Sequence, residues 1–395
     1  MMTSVQMRVF LTFAAGYFLS YLYRTVNAVL SPDLTRDLAL SPADLGLLTS
    51  AYFITFALFQ VPLGLLLDKF GPRRVQAALL IFAALGAAGF AIAQTVPTLI
   101  LARALIGLGV SGCLMAGFKA LVLWFPREKL PLWNSLYMVA GGLGATMAAT
   151  PVELALHITD WRGVFWGLAG LTLLAALAIA VLIPPPPTET APPQESLWAG
   201  FKAIYGSALF WRIAPMAAAC QGAYLGYQAL WIGPWVREVQ GLDRLAAANV
   251  VTSSAVGMAI GFFSLGLIAE AARRKGIGPL TVGRIGMSLF TLVQLALLLR
   301  LPLPPALLWG LFGAVGTSSM MCYAYLSQTL PAHLAGRVNT AINLLAFTAA
   351  FTVQTGIGAL VSRLGVEGQY WGLGLCIGAQ FLGLAWGLRP SQAKV

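Results

Sequence analysis

The chain has 395 residues, 59% of them hydrophobic and 9% charged, with a mean hydropathy of +0.82. Soluble domains carry about 25% charged residues, so this composition excludes a water-soluble globule and makes lipid the main solvent. The formal charge of +11 does not require a nucleic-acid partner, because membrane topology accounts for the basic residues.

A spanning helix needs about 20 mostly apolar residues, since in hydrocarbon the backbone must satisfy its own hydrogen bonds. The apolar run after Arg8 continues through Tyr21 to Leu30 without a small-residue cleavage site, and reads as a retained first span, 9–30. Further spans are predicted at 45–67, 75–94, 98–120, 131–156 and 163–183, then at 210–233, 246–268, 279–299, 305–328, 338–361 and 369–388. The long polar break between the two groups opens with Pro184-Pro185-Pro186-Pro187, which ends the sixth helix. Leu197, Phe201 and Ile204 follow at near-helical spacing, as in a short helix lying on the membrane surface. The expected fold class is an all-α membrane protein of twelve transmembrane helices. Its parts are an N-terminal six-helix bundle (1–183), a cytoplasmic linker (184–209) and a C-terminal six-helix bundle (210–395).

With the N-terminus inside, fifteen Lys and Arg fall on the inner side and six on the outer, while Arg24, Arg103 and Lys119 lie within spans, accounting for all 24. The positive-inside rule then places both termini in the cytoplasm of a multi-pass cell-membrane protein, the inner membrane if the source is prokaryotic. Cys113, Cys220, Cys322 and Cys376 lie in apolar stretches with no C-x-x-C spacing, so packing is their expected role and no metal site is expected.

The two groups of spans repeat one another. Pro126, Asn134 and Thr150 recur 205 positions later as Pro331, Asn339 and Thr355, and Phe165-Trp166-Gly167-Leu168 recurs as Tyr370-Trp371-Gly372-Leu373. Gly64-x-x-x-Asp68 recurs as Gly266-x-x-x-Glu270, and the face Tyr17, Ser20, Arg24, Asn27 corresponds to Gln221, Tyr224, Gln228, Trp231. A repeat of six helices is how many transporters place a site between two halves that rock against each other.

The loop after the second span reads Gly64-Leu65-Leu66-Leu67-Asp68-Lys69-Phe70-Gly71-Pro72-Arg73-Arg74. Gly64 would admit a neighbouring helix closely, Asp68 is an acid at the membrane edge, Gly71-Pro72 makes a tight turn, and Arg73-Arg74 anchor the inner side. Residue types alone leave open an ordinary positive-inside loop. The segment resembles the signature loop of the major facilitator superfamily, with Pro72 in place of a usual basic residue. Arg103-Ala104-Leu105-Ile106-Gly107 and Asp160-Trp161-Arg162-Gly163 resemble two further motifs of that superfamily. The resemblance implies that Gly64, Asp68, Gly71, Arg73 and Arg74 form a conformational latch, the aspartate stabilising the outward-open state through the second half. Asp68→Asn is then expected to lower the rate of transport with insertion unchanged; wild-type turnover of the reconstituted variant would count against the latch.

Charged side chains inside a membrane cost about 2.5–3.5 kcal/mol each on insertion scales and are functional by default. Arg24 lies near the middle of the first span, and Tyr17, Ser20, Arg24 and Asn27 share one helix face. With Tyr21 beside it, Tyr52 on the second span, Gln221, Tyr224, Gln228 and Trp231 on the seventh and Tyr323 on the tenth, it makes a candidate substrate site. Gln60, Asn134, Tyr137 and Asn339 could complete it. Only Glu153 among the 13 acidic residues is placed within a span, near its outer end. A central arginine without a central carboxylate favours an anion.

Tyr21-Leu22-Tyr23-Arg24-Thr25-Val26-Asn27 is similar to the first-span pattern of the superfamily's organic-anion symporters. The resemblance implies carboxylate binding by Arg24. The proton-carrying acids of those symporters fall on Tyr23 and Val110, so their coupling machinery is missing. Glu153 and His157, one turn apart, remain as candidates for coupling to a proton or other ion, with an interfacial pair as the alternative. Arg103 could gate, couple, or cap carbonyls of adjacent helices, and Lys119 can snorkel to the headgroups.

The expected function is secondary transport of a small organic anion, by symport and alternating access, in a monomer surrounded by lipid. Export of amphipathic compounds or drugs competes with it, as does a transport-dead sensor, although the short termini are expected to carry no signalling domain. Enzyme activity is not expected: no G-x-x-x-x-G-K-[ST] loop occurs, and His157 and His333, the only two histidines, join no catalytic grouping. No cofactor is expected either.

Overall fold

The computed structural model describes residues 4–126, 130–185, 202–330 and 335–388, and within them the chain is helical, with no strand. Helices α1 (Ser4–Thr25) and α2 (Asn27–Leu38) form one run that turns at Val26. The predicted first span is therefore too short, because the run continues through Pro32 and Asp33 to Leu38. Pro32 has no N–H for the carbonyl of Ala28, and that carbonyl instead lies where it would meet a Cβ at Gly233, 2.1 Å away.

Helix α3 (Pro42–Leu67) starts on a reciprocal cap: Asp44 N donates to Ser41 Oγ at 3.1 Å and Ser41 N donates to Asp44 Oδ2 at 3.0 Å. Near the start of α4 (Lys69–Ile92) the chain turns at Gly71, whose φ of +76° suits glycine. Helices α5 (Val96–Trp124) and α6 (Leu130–Met147) follow, then α7 (Thr150–Ala155). The predicted fifth span, 131–156, is thus two helices. Pro151 cannot donate to the Met147 carbonyl, and Ala149 leaves helical geometry at φ −103° and ψ −107°. Asp160 caps α8 (Trp161–Leu182) by accepting from Gly163 N at 2.8 Å.

The second series begins with α9 (Ala208–Gly226), which runs on through π-type turns at Tyr227–Trp231 and Trp235–Val239. It continues with α10 (Arg244–Arg274), α11 (Pro279–Leu298), α12 (Pro305–Thr329), α13 (Ala335–Leu364) and α14 (Glu367–Gly387). Of the expected linker helix, residues 202–205 are helical, whereas Leu197 and Phe201 lie outside the described residues. Among the described residues, eight helices are long and apolar enough to cross a membrane: α3, α4, α5, α8, α10, α11, α12 and Val338–Leu364 of α13. The runs α1–α2, α6–α7 and α9 are interrupted by the turn, kink and π-type turns just described, and α14 is diluted by Gln369, Gln380 and many glycines.

Arginines tie helices together inside each series. Arg73 donates to the Ala180 carbonyl from Nε at 3.2 Å and Nη2 at 2.6 Å, and Arg284 donates to the Gly387 carbonyl. The four cysteines are buried and unpaired.

Among the described residues, every hydrogen bond and ion pair between 4–185 and 202–388 lies at one end of the bundle. Thr150 Oγ1 and Thr252 Oγ1 are 2.7 Å apart, and Thr355 Oγ1 donates to Ser50 Oγ at 3.0 Å. These contacts correspond through the sequence offsets, since Thr355 lies 205 positions after Thr150 and Thr252 lies 202 after Ser50. Backbones touch there as well: a Cβ on Gly46 would meet the Gln354 carbonyl at 2.6 Å. At the opposite end, Gly64 and Gly266 have nothing within 4 Å of a Cβ position. The close approach expected at Gly64 is therefore not made by any described residue in this conformation.

The glycine contacts make a test of the closed end. Gly233→Ala puts a methyl into the Ala28 carbonyl and should part the helices there. Hydrogen exchange of the α2 amides is expected to speed up in this variant while α11 and α14 stay protected; unchanged α2 protection would show that the contact does not hold the end closed.

Candidate functional site

Midway along the bundle, a small cavity of about 30 Å³ is lined from the first series by Tyr17, Ser20, Tyr21, Arg24, Phe56 and Gln60, together with Ser111, Leu114 and Met115. The second series supplies Gln221, Met320, Tyr323, Asn343 and Phe347. Among the described residues, Arg24 is the only charged one in this wall, and it is 4% exposed. Its guanidinium lies 4.4 Å from the centre of the Tyr21 ring and 5.4 Å from those of Phe56 and Phe347. Each ring face carries partial negative charge and stabilises a cation over it. Arg24 Nε has no hydrogen-bond partner, and no carboxylate pairs with this side chain among the described residues. Phe56 and Phe347 stack at 4.2 Å between centroids, so an aromatic contact between the two series lies directly over the cation.

Of the residues expected at the site, the structure brings Tyr21, Arg24, Gln221 and Tyr323 together around this cavity, with Gln60 also in its wall. The others lie elsewhere. Asn27 donates to Thr49 Oγ1 at 3.2 Å, and Tyr52, absent from the cavity wall though its hydroxyl neighbours the Arg24 guanidinium, donates to the Ser20 carbonyl at 3.2 Å. Tyr224 packs on Phe312 and accepts from Gln228 Nε2 at 2.9 Å; Gln228 Nε2 also reaches Met258 Sδ at 3.2 Å. Trp231 is buried with its Nε1 unpartnered. An unbroken α-helix would keep Gln221, Tyr224, Gln228 and Trp231 on one face, but the π-type turn at Tyr227–Trp231 closes i→i+5 bonds and shifts the phase of the residues after it. Tyr137 donates to the Cys113 carbonyl at 2.6 Å, and Asn339 accepts from Ser327 at 2.9 Å. Asn343, Phe56 and Phe347 were not expected at the site, although Asn343 falls one turn from Asn339 on the same helix.

Arg103 does not reach the cavity. It is fully buried, donates to the Tyr23 carbonyl at 2.6 Å, and lies 5.1 Å from the centre of the Tyr52 ring. That is the capping arrangement among the roles considered for it. Lys119 donates to the Leu67 carbonyl at 2.9 Å. For the loop signature, Gly71 makes the turn and Arg73 holds α8 within its own series, while the Asp68 side chain lies outside the described residues.

At the closed end, Arg244 of the second series reaches across to two acids of the first. Its Nη1 donates to Asp33 Oδ1 at 3.1 Å, its Nη2 donates to Asp33 Oδ2, and its Nε lies 2.5 Å from Glu153 Oε1. Asp33 and Glu153 side chains are 9% and 5% exposed. Glu153 is therefore engaged by a cation from the other series. His157 lies past the end of α7, exposed, in a groove that it shares with Glu153, Asp33 and Arg244. Asp33 is a second acid buried within a helical run, which the predicted end of the first span at Leu30 hid.

A profile of the Major Facilitator Superfamily matches residues 13–355. The chain belongs to the Major Facilitator Superfamily. Among solved structures, a bacterial homologue of the human lysosomal transporter Spinster, in an inward-facing and unoccupied conformation, has a TM-score of 0.75 at 16% identity. The likeness covers 98% of this chain and 97% of the other. A D-xylose–proton symporter has a TM-score of 0.72 at 16% identity over 97% of each chain. At this identity the likeness concerns the fold. Among curated relatives in the superfamily, a probable sulfoacetate transporter of Cupriavidus necator is 23% identical over 58% of this chain and 56% of its own length. A galacturonate transporter of Dickeya chrysanthemi is 29% identical over 41% of this chain and 47% of its own length. The protein MdtD of Klebsiella pneumoniae, named for multidrug resistance, is 23% identical over 69% and 55%. The match spans about half the length of these relatives. By family and by its apolar helices, the chain is a multi-pass membrane protein.

Proposed function

We propose that the protein is a secondary transporter of a small organic anion, and that Arg24 binds the anion's charged group between two six-helix halves that rock against each other. One observation carries this reading: the cavity wall holds a single guanidinium, faced by aromatic rings and no carboxylate. A buried cation without a counter-ion is expensive, and an anionic cargo supplies the missing charge in each cycle. The paired contacts Thr150–Thr252 and Ser50–Thr355, related by the repeat offsets, support the two-half, twelve-span arrangement. If both termini are cytoplasmic, as the distribution of basic residues favours, the closed end is the outer one and this conformation faces inward.

Two anion transporters among the relatives agree with this reading. Export of amphipathic compounds is the second reading, favoured by the long match to MdtD and by the aromatic lining of the cavity. Proteoliposomes loaded with purified protein separate the two. Arg24-dependent uptake of organic anions is expected, whereas anion movement equal in wild type and Arg24→Ala, or extrusion of lipophilic cations, would defeat the assignment.

A further inference from the structure

The cavity wall is asymmetric in a way that bears on the rest of the cargo. The first half supplies the cation. The second half supplies two amides, Gln221 and Asn343, whose oxygens are both already used: Gln221 Oε1 accepts from Ser319 Oγ, and Asn343 Oδ1 accepts from the Tyr323 hydroxyl at 3.0 Å. Those bonds orient the amides so that each –NH₂ group, which has two donors and no acceptor, is the end without a partner among the described residues. Gln60, across the cavity, is oriented the other way: its Nε2 donates to the Ser111 carbonyl at 3.1 Å and to the Phe56 carbonyl at 3.4 Å, leaving its oxygen as the available acceptor.

We propose that Gln221 and Asn343 form a second recognition point, and that the preferred cargo is a hydroxylated monocarboxylate: one negative charge for Arg24 and neutral hydroxyl oxygens for the amides. This rests on the reading of Arg24 as the anion-binding residue. The charge count follows from the wall. One guanidinium presents a fork that suits one carboxylate, and a second carboxylate on the same cargo would be buried without any counter-charge. The hydroxyls follow from the amides. Hydroxyl groups both accept from –NH₂ and donate to an amide oxygen, whereas an aliphatic chain would strip water from Gln221, Asn343 and Gln60 and return nothing. A cargo gripped by Arg24 at one end and by these amides at the other touches both halves at once, so its presence favours the conformations in which the halves close around it.

Isothermal titration of the purified full-length protein with three six-carbon probes tests this: galacturonate, a hydroxylated monoanion; galactarate, a hydroxylated dianion; and hexanoate, a monoanion without hydroxyls. Galacturonate is expected to bind at least about tenfold more tightly than either of the others. In Gln221→Leu/Asn343→Leu, the advantage over hexanoate should disappear while the advantage over galactarate persists; if the double variant does not reach the membrane, Asn343→Ser is read the same way. Equal binding of galactarate or hexanoate by wild type, an undiminished galacturonate preference in the variant, or no Arg24-dependent binding of any probe would each overturn the proposal. Arg24→Ala keeps the two readings apart. Galacturonate bound equally well by Arg24→Ala defeats the anion site itself, while Arg24-dependent binding without discrimination defeats only the second recognition point.

Discussion

Arg24→Ala is expected to lower the initial rate of anion uptake into proteoliposomes by about 30-fold to 4,000-fold. The range corresponds to the roughly 2–5 kcal/mol lost when one partner of a buried, hydrogen-bonded charge pair is truncated. The low dielectric of the cavity makes the loss large, because alanine leaves the carboxylate of the cargo surrounded by Tyr21, Phe56 and Phe347 with no cation within reach. Arg24→Lys should recover part of the rate: it keeps the charge but replaces a planar fork stacked on rings by a compact ammonium. An effect on folding is separable. Removing a lone buried cation relieves a desolvation cost, so Arg24→Ala should accumulate in the membrane at wild-type amounts. Equal uptake by the alanine variant would mean that the arginine serves packing alone.

The second large effect concerns the closed end. Arg244→Ala removes the cation that holds Asp33 and Glu153 together, leaving two buried carboxylates facing each other. Breaking a buried ion pair costs about 3–5 kcal/mol, and because Arg244 is itself 36% exposed, solvent screening reduces this to roughly 2–3 kcal/mol. The penalty falls on the closed form only, since both carboxylates regain water when the halves part. The open form should therefore rise by about 30-fold to 150-fold relative to the closed one. A cysteine introduced at Ala248, 3% exposed beside this cluster, reports the change: a membrane-impermeant maleimide should label it slowly in the parent and at least about tenfold faster in Arg244→Ala. Identical labelling rates would show that the glycine contacts keep the end closed without the ion pairs.

What was legible in the sequence divides along physical lines. Helices were readable because hydrocarbon allows little besides long apolar runs, and Arg24 stood out because one charge in such a run has few structural uses. Ends and breaks were harder. The first run passes through Pro32 and Asp33, which read as a stop, because the freed Ala28 carbonyl fits against Gly233 and Asp33 meets Arg244 from 211 residues away. Such compensation comes from tertiary contacts that a local pattern does not contain. The seventh run shows a related failure. Its spacing places Gln221, Tyr224, Gln228 and Trp231 on one α-helical face, but of these only Gln221 lines the cavity, while Gln228 donates to Tyr224 and reaches Met258 beside the π-type turn. Asn343 carried no signal of its own, being one of several polar residues along α13. Its significance appears only when Tyr323 fixes its orientation.

The claim on which the rest depends is that a single unpaired guanidinium selects the charge of the cargo. Thermal unfolding of purified wild-type protein and Arg24→Gln, each with a panel of organic anions, neutral sugars and organic cations, tests it most directly. Anions alone should raise the Tm of wild type, and no member of the panel should raise that of Arg24→Gln. Stabilisation of both proteins to the same extent by a neutral or cationic solute would contradict the account.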